Sequence, residues 1–509
     1  MHRIFSIILF ICLLSPGQLL AQSCLPEGIE ITTQGQIDSF AINYPGCTEI
    51  EGDVHIEGED ISNLNGLITI NAIYGDFFIG GFNGGNPSLE TLSGLDNLIN
   101  IGGDFWIEDN DVLINLIGLS NLTTIGGDFS VERNDSMVRF IGLENIELIS
   151  GTFRIISNDG LINLNGINNL SSVGKSLDVF NNNKLEEIDA LQSIDTIGVD
   201  LRIVNNDALL NLIGLNSITY IGYELSIHNN LLITNLTGLN NVKHIGGSLR
   251  ISENHALTSL VGLENVTSIG GSLQISNNYT LITLLGLENL TTIEGGLWIS
   301  ENNSMTNIDS LLNLITIGDS FLYIGYNNSL NNLMGLTNVE SIGGYLRITH
   351  NPSLTTLEGL NNIDYISITH LWITENSSLS SCDVQSICNY IADPTGNTEI
   401  INNLAGCNSI EEVEETCESA SVSELWSNNL LFIHPNPARH YLNIQYSVLS
   451  TQYSILIYDC FGRQMDEINI PAGQEESRID VSHYPDGIYI AIIKDNSGSF
   501  VNQKFVVSR

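Results

Sequence analysis

The hydrophobic residues in the long central part of the chain follow one repeating pattern. Over Leu249-Arg250-Ile251 apolar and polar side chains alternate, and from Leu257 to Ile269 an apolar residue returns at every third position. Alternation is typical of a β-strand with one buried face. A spacing of three, interrupted by Gly262, does not fit the 3.6-residue period of an α-helix. The pattern therefore predicts short strands joined by turns.

This pattern repeats every 24 residues. A Gly-Leu pair such as Gly262-Leu263 marks each repeat, with Ala190 or Ser310 replacing the glycine twice, and the marks run in strict steps from Gly94 to Ser310. One unit alone buries too little apolar surface to offset the entropy of ordering its backbone, whereas stacked units bury one another. The sequence predicts an all-β solenoid of about fourteen 24-residue coils over residues 48–381.

An asparagine occupies one fixed position in each coil. A buried amide there can bond to the turn backbone and to the equivalent amide of the next coil, so we predict a structural ladder. A calcium ladder is the functional alternative, but the chain lacks the Gly-Asp-rich nonapeptide that such ladders use. The ladder residues are Asn110, Asn134, Asn158, Asn182, Asn206, Asn230, Asn254, Asn278, Asn302 and Asn351, with Asn86, Asn327 and Asn376 at the same position.

The repeat frame Ile-Gly-Gly-Ser-Leu-x-Ile-x-x-Asn-x-x-Leu resembles a known family. It is similar to the receptor L domain, a relative of leucine-rich repeats, and to the repeats of fungal cell-wall surface proteins. The resemblance covers residues 48–381. It implies a right-handed, three-faced β-helix whose role is recognition.

The residue between the two inward strand residues varies from coil to coil and points outward. Trp and Arg, which dominate binding hot spots, are concentrated in this row. We predict that it binds a protein partner, or alternatively a glycan on a stacking platform of Trp298, Tyr323 and Trp372. The competing explanations are that exposed strands favour aromatics, and that the arginines pair with acids such as Glu253 or Glu375. The candidate binding residues are Trp106, Arg154, Arg202, Arg250, Trp298, Tyr323, Arg347 and Trp372.

The N-terminal segment predicts export. A basic start and an apolar run from Ile4 to Leu14 indicate a secretory signal peptide over residues 1–22, with cleavage near Ala21. No later apolar stretch is long enough to span a membrane. A lipid-anchored start at Cys24 is the weaker alternative.

The cysteines then predict disulfides, because exported proteins fold under oxidising conditions. Cys24 pairs naturally with Cys47 in an N-terminal cap over residues 23–47, read as a short helix. A C-terminal cap over residues 382–420, read as two short helices, contains four cysteines whose pairing remains open. These four are Cys382, Cys388, Cys407 and Cys417, and Cys460 is left without an assigned partner.

The last part of the chain differs from the repeats. Residues 421–431 read as a linker, and residues 432–509 as short strands. The motifs are Pro435-Asn436-Pro437, Tyr458-Asp459 with Gly462-Arg463, Asp486-Gly487-Ile488-Tyr489, and Lys504-Phe505-Val506-Val507. In combination they resemble the C-terminal sorting domain of the type IX secretion system of Bacteroidota. The resemblance implies a small antiparallel β-sandwich that the outer-membrane translocon reads. It also implies later removal of this domain, with the protein released or attached to the cell surface.

Charge and composition narrow the function further. The net charge of −42 would repel a phosphate backbone and excludes nucleic-acid binding. Glu57, Glu108 and Glu132 share one strand row and could be imagined as glycosidase carboxylates, but an acidic, solvated row explains them. We find no triad, phosphate loop or metal-ligand spacing, and therefore predict a non-enzymatic protein without cofactor or metal.

Overall fold

A computed structural model describes residues 23–81, 84–318 and 320–417, and most of 432–508 in the segments 432–434, 437–445, 453–459, 463–470, 476–494 and 500–508. The predicted signal peptide, the linker over 421–431 and residues 418–420, together with Pro435, Asn436, Cys460 and Gly462, lie outside the described residues. The chain divides into two compact units, Met1–Ile410 and Glu411–Arg509.

The repeats form the predicted β-solenoid, built on two long parallel sheets. Each coil contributes one longer strand to a 16-stranded sheet, here called the long-strand sheet. Its strands are Ile29–Ile31, Val54–Ile56, Phe77–Gly80, Phe105–Glu108, Phe129–Glu132, Phe153–Ile156, Leu177–Phe180, Leu201–Val204, Leu225–His228, Leu249–Ser252, Leu273–Ser276, Leu297–Ser300, Phe321–Gly325, Tyr345–Thr349, His370–Thr374 and Thr398–Ile401.

A second sheet has 14 strands of two residues each and is here called the short-strand sheet. Its strands are Ser23–Cys24, Glu49–Ile50, Ala72–Ile73, Asn100–Ile101, Thr124–Ile125, Leu148–Ile149, Ser172–Val173, Thr196–Ile197, Tyr220–Ile221, His244–Ile245, Ser268–Ile269, Thr292–Ile293, Thr316–Ile317 and Ser341–Ile342. Neighbouring strands pair with equivalent residues, for example Arg250 with Gln274. The 24-residue period is therefore the register of both sheets.

The third side of each coil is a run of turns, so two of the three predicted faces are sheets and the third is not. Single backbone bonds join successive coils there, such as Ile162 N–H to Val138 O at 3.1 Å. The conformation of Gly262 shows why a glycine precedes the leucine that marks each repeat. Its φ is +119°, and a Cβ there would collide with the Leu236 carbonyl oxygen. Ala190 and Ser310 do not take this backbone conformation, and both lie in 3-10 turns. The 3-10 turns are Asn65–Leu67, Asp189–Leu191, Ile213–Leu215, Asp309–Leu311, Met334–Leu336, Glu358–Leu360 and Tyr365–Ser367.

The core is a set of stacked columns of identical or similar side chains. In one column Phe77, Phe105, Phe129 and Phe153 are fully buried, with ring centroids 5.1 to 5.2 Å apart. Elsewhere the inward residues are mostly Leu, Ile and Val with no exposed surface. Because each side chain meets its own equivalents above and below, a substitution that changes volume affects at least two neighbouring coils.

The asparagine ladder is a continuous buried chain of hydrogen bonds. The side chain of Asn254 donates to the carbonyls of Ile227 and Ser252 at 2.9 and 3.0 Å, and its backbone N–H donates to Asn278 Oδ1 at 3.0 Å. Its own Oδ1 accepts the backbone N–H of Asn230 at 3.0 Å. From Asn86 to Asn376 the ladder residues are fully buried, and Asn403 extends the chain of bonds into the C-terminal cap.

Each cap is also part of the sheets, which the sequence did not predict. The N-terminal cap contains the helix α1, Gln34–Asn43, capped by Thr33 and Gln36, and the Cys24–Cys47 disulfide. It also supplies the first strand of each sheet. The C-terminal cap contains the helix α2, Gln385–Ala392, and residues 410–417 are helical. It supplies the last long strand, Thr398–Ile401, so both ends carry a coil of different sequence.

Of the four cysteines in the C-terminal cap, Cys382 pairs with Cys407, and Cys388 and Cys417 are also disulfide-bonded. The Cys382–Cys407 bond joins residues 25 positions apart, about the length of one coil. A covalent link of this span resists unwinding of the terminal coil.

The C-terminal unit has two antiparallel sheets. One contains Phe432–His434, Tyr441–Gln445 and Glu476–Asp480, and the other Tyr453–Asp459, Gln464–Ile470, Gly487–Lys494 and Phe500–Val507. Residues of both sheets form a single apolar core, including Leu442, Ile457, Tyr489 and Phe505. The predicted antiparallel architecture of this region is confirmed.

Removing one whole coil should leave a folded protein. Deletion of residues 247–270 joins Gly246 to Gly271, which restores the Gly-Gly pair of one coil and keeps every sheet in register. Deletion of residues 247–258 should unfold the solenoid, because inward and outward faces would no longer align. Limited proteolysis and thermal melting measure both, and equal protease resistance of the two variants would contradict the register described here.

The ladder should contribute strongly to stability. Asn254→Ala removes the side-chain bonds to the Ile227 and Ser252 carbonyls and leaves the buried Asn230 N–H without its acceptor, so we expect a loss of about 2–4 kcal/mol in the free energy of unfolding. Asn265→Ala is the control, because this exposed side chain makes one bond, to Asn240 O at 2.6 Å; its cost should be below about 1 kcal/mol. Denaturant unfolding monitored by circular dichroism compares them.

Candidate functional site

The outward row runs in strict register along the long-strand sheet. Trp298, Tyr323, Arg347 and Trp372 are direct cross-strand partners in sequence order. The row is not uniformly exposed, which corrects the expectation: Tyr323 is only 7% exposed because its taller neighbours cover it. Among the shorter residues of the row, Ser130 and Asp178 are buried as well.

Three of the four row arginines are engaged with carboxylates. Arg154 pairs with Asp128 at 3.0 Å, and Arg250 pairs with Glu224 at 3.2 Å. Arg202 contacts both Asp178 and Asp200. The acids are therefore not the expected Glu253 or Glu375. These arginines hold neighbouring coils together, and the structural explanation applies to them.

Arg347 is different. It is exposed, and its guanidinium lies 5.7 Å from the ring centroid of Tyr323. Among the described residues it has no carboxylate within ion-pair distance. Its charge is therefore available to a ligand.

Arg347 belongs to a group of aromatic residues that we call the aromatic cluster. Four successive long strands supply it, and half of its rings come from a second outward row, one position before the first inward leucine. Sequence reasoning missed this second row, although its signal was visible as Phe321, Tyr345 and His370 in one repeat column. The aromatic cluster consists of Trp298, Phe321, Tyr323, Tyr345, His370 and Trp372, together with Arg347.

The rings of the aromatic cluster contact one another closely. Trp298 and Tyr323 have centroids 4.1 Å apart, and Phe321 stacks on Tyr345 at 5.4 Å. His370 is parallel to Trp372 at 5.5 Å. Trp298 Nε1 donates to Ser300 Oγ at 2.6 Å, which fixes the indole. The cluster is therefore a pre-organised surface in which the rings restrict one another's motion.

Two glycines make room for these rings. A Cβ at Gly325 would lie 2.6 Å from the Tyr323 hydroxyl, and a Cβ at Gly296 would lie 2.7 Å from atoms of the Phe321 ring. In other coils these strand positions hold side chains such as Ser276 and Ser272. The backbone is thus adapted to the cluster, as expected of a built site.

The cluster changes the chemistry of its phenols. Burial raises the pKa of Tyr323 above its usual value, and the positive charge of Arg347 opposes this effect. Burial raises the pKa of Tyr345 in the same way. Both side chains therefore remain neutral hydrogen-bond donors at physiological pH.

Trp106 lies in a smaller aromatic group near the other end of the solenoid. Its ring contacts Phe78 at 4.6 Å, and Phe78 contacts His55 at 5.7 Å. Of the three acids that share a strand row, Glu108 and Glu132 contact Arg133, and Glu57 lies 3.5 Å from His55 Nε2. Burial raises the pKa of Glu108, with Arg133 acting in the opposite direction.

A second ladder, which the sequence analysis missed, lies on the outer surface. Asp53, Asp76, Asp104 and Asp128 each accept a backbone N–H from the next coil through Oδ1, at 2.7 to 2.9 Å. In later coils serine hydroxyls are the acceptors: Ser272 Oγ accepts the Gly296 N–H at 3.0 Å. These aspartates therefore accept backbone N–H groups at the start of the long strands.

Between the acidic and aromatic parts lies a polar depression of about 370 Å³. Its polar walls are hydroxyls, carboxylates, two amides and a guanidinium, and His228 Nδ1 lies 2.7 Å from Ser252 Oγ. The lining residues are Val204, Glu224, Ser226, His228, Arg250, Ser252, Glu253, Gln274, Ser276 and Asn277.

Comparison with known families identifies the end of the chain. Residues 432–508 match the family model of the secretion system C-terminal sorting domain. The chain matches no curated protein. Among the described residues no helix is long and apolar enough to cross a membrane. The protein is therefore exported by the type IX system to the cell surface or the extracellular space.

The sorting motifs that the structure describes have structural roles in this domain. Tyr489 is 3% exposed, stacks on Phe505 at 5.5 Å and donates its hydroxyl to Pro485 O at 2.7 Å. Gly487 begins the strand that pairs with the last strand, where Lys504 lies opposite Ile490. These residues shape the fold of the domain.

Close packing of the aromatic cluster can be tested by titration. In the difference spectrum between the native protein and Tyr323→Phe, the Tyr323 phenol should ionise above its usual pKa of 10.0. Trp298→Ala should lower this pKa by admitting water. Because the folded state holds the proton more tightly than the unfolded chain, stability should fall as pH rises from about 10 through the folded pKa. Identical titration with and without Trp298 would show that the indole does not cover the phenol.

Proposed function

We propose that this exported protein is a non-catalytic recognition protein that binds a protein partner through the aromatic cluster. The observation that carries the proposal is a group of six aromatic rings on a parallel sheet, together with one arginine that has no ion-pair partner in the described part of the chain. Trp, Tyr and Arg are the residues that most often anchor protein interfaces. The resemblance of the repeats to receptor L domains points in the same direction.

The rings are not required for folding of the solenoid. The inward residues of the same strands, such as Leu297, Ile299 and Leu371, form the core with no exposed surface. Equivalent outward positions elsewhere hold Ser130, Ser226 or Gln274 without loss of register. Because these outward positions accept small polar residues in other coils, the presence of large rings in the late coils favours a role in binding.

The ring packing favours a protein surface over a sugar. A carbohydrate platform needs exposed ring faces, whereas here Trp298 covers Tyr323, and Phe321 and Tyr345 stack on each other. The rings therefore offer edges, hydroxyls and the Arg347 charge over a small, flat area. Such an area suits the centre of a protein interface.

A glycan is the second candidate, and the polar depression favours it. Its hydroxyls, two amides, carboxylates and guanidinium can bond to neighbouring sugar hydroxyls. Gln274, in its wall, is the cross-strand neighbour of Trp298. Trp298 has no aromatic neighbour on that side among the described residues.

Adhesion assays separate these possibilities. The secreted protein is purified, coupled to beads and tested on a panel of bacterial and animal cells. Arg347→Ala with Trp372→Ala should reduce adhesion about thirtyfold or more, because hot-spot residues contribute about 2 kcal/mol or more each. Protease treatment of the target cells should abolish adhesion, and periodate treatment should not.

The matched control is Arg154→Ala with Trp106→Ala, which removes the same residue types from the same row outside the cluster. We expect its adhesion to stay near the unsubstituted level and both melting temperatures to stay within a few degrees. Equal loss of adhesion in the two double variants would refute the proposal. Failure of beads carrying the unsubstituted protein to adhere to any of the cells would refute it as well. Adhesion that periodate removes and protease spares would identify the glycan instead, to be checked with Glu253→Gln.

A further inference from the structure

The described residues of the sorting domain contain a basic depression of about 540 Å³. Its lining is Pro437, Arg439, His440, Tyr441, Asn443 and Arg478. Pro437 is the last residue of the predicted Pro-Asn-Pro motif. A sorting motif and a concentration of positive charge therefore meet at one surface.

This positive charge is unusual for the protein. Of the net charge of −42, residues 432–509 contribute only −2, with six basic and eight acidic side chains. Of the described arginines in this domain, Arg463 pairs with Asp459 at 3.0 Å. Arg439 and Arg478 have no carboxylate within ion-pair distance among the described residues, and both are exposed. Both of these unpaired arginines line the same depression.

The backbone around the depression is firmly held. Ala438 N–H donates to Val506 O at 2.7 Å, Ser508 N–H donates to Ala438 O at 3.0 Å, and Val481 N–H donates to His440 O at 2.9 Å. The Arg478 guanidinium lies 4.0 Å from the ring centroid of Tyr441, which orients it. The nearby Asp480 carboxylate already accepts the Ser482 N–H at 2.9 Å. The two arginines are therefore presented by a rigid frame and available to an outside partner.

We propose that this basic depression is the surface by which the sorting domain docks onto acidic side chains of the export machinery. An arginine offers a planar fork of donors that matches a carboxylate, and a pair of such contacts gives both attraction and orientation. Charge complementarity of this kind also accelerates encounter and selects against wrong partners. The rest of the chain is strongly acidic, so the basic depression gives the machinery a feature that distinguishes the tail from its cargo.

The test compares three forms of the full chain expressed in a host that exports it, with the amounts in periplasm, cell surface and medium measured by immunoblot. Arg439→Glu with Arg478→Glu should reduce export at least about tenfold, because opposed charges replace two attractive contacts. Arg439→Lys with Arg478→Lys keeps the charge but loses the planar fork, so its export should be reduced but clearly higher than that of the Glu variant. Lys184→Glu with Lys243→Glu makes the same charge change at exposed solenoid positions and should export normally.

Three outcomes overturn the proposal. These are normal export of the Arg-to-Glu variant, equal failure of the Lys variant, and export of the Arg-to-Glu variant with loss only of surface attachment, which would indicate docking on anionic lipid. Limited proteolysis of the retained chain shows whether its sorting domain is folded. If the sorting domain of the retained chain is not folded, the single variant Arg439→Gln tests the proposal instead. This substitution should leave the fold intact, because the side chain is exposed and has no ion-pair partner among the described residues. Partial loss of export supports the proposal, and normal export refutes it.

Discussion

The buried asparagine ladder is the interaction on which the rest of the structure depends. Each ladder side chain satisfies two carbonyls of its own turn and the preceding coil, and its oxygen accepts a backbone N–H from the coil before it, as Asn254 does. An unsatisfied buried amide is costly, so each coil must place its asparagine directly above the previous one. The residue just before the ladder pays a conformational cost, because Glu253, Asn277 and Glu301 all have positive φ values near 57°. The fixed period of the repeat follows from this geometry.

Once the ladder and the apolar columns fix the register, the outward positions are free to differ. The long-strand sheet uses that freedom in zones. Early coils carry the aspartate ladder and its arginine partners, such as Asp128 with Arg154, the middle coils carry serines around the polar depression, and the late coils carry the aromatic cluster. The first zone joins coils together, and the last carries the rings on which the proposed binding role rests. One scaffold thus carries different surface chemistry along its length, since none of it uses the core residues.

The fold was predictable because the period, the inward columns and the ladder are all visible as columns in the sequence. The strand in the C-terminal cap, Thr398–Ile401, was missed because its spacing from the previous coil departs from 24 residues. The sequence around it is also typical of helices. The outward row was predicted from the sequence, but the grouping of its aromatic residues into a cluster was not. Whether Arg250 meets Glu224 or Glu253 depends on side-chain rotamers, and whether Tyr323 is covered depends on the size of Trp298. Sequence period determines which residues are neighbours, and packing determines which of them remain exposed.

The sorting domain differs from the solenoid in how its surfaces are assembled. Its strands are antiparallel and joined by turns, so no repeat column shows which side chains share a surface. Arg439 and Arg478 are 39 positions apart in the sequence and meet only because Tyr441–Gln445 pairs with Glu476–Asp480. The motif residues Tyr489 and Gly487 that make the family recognisable serve the fold of the domain. The arginines that we propose as docking residues can therefore lie beside a motif without belonging to it, and their charge, without an ion-pair partner among the described residues, is the physical sign that points to them.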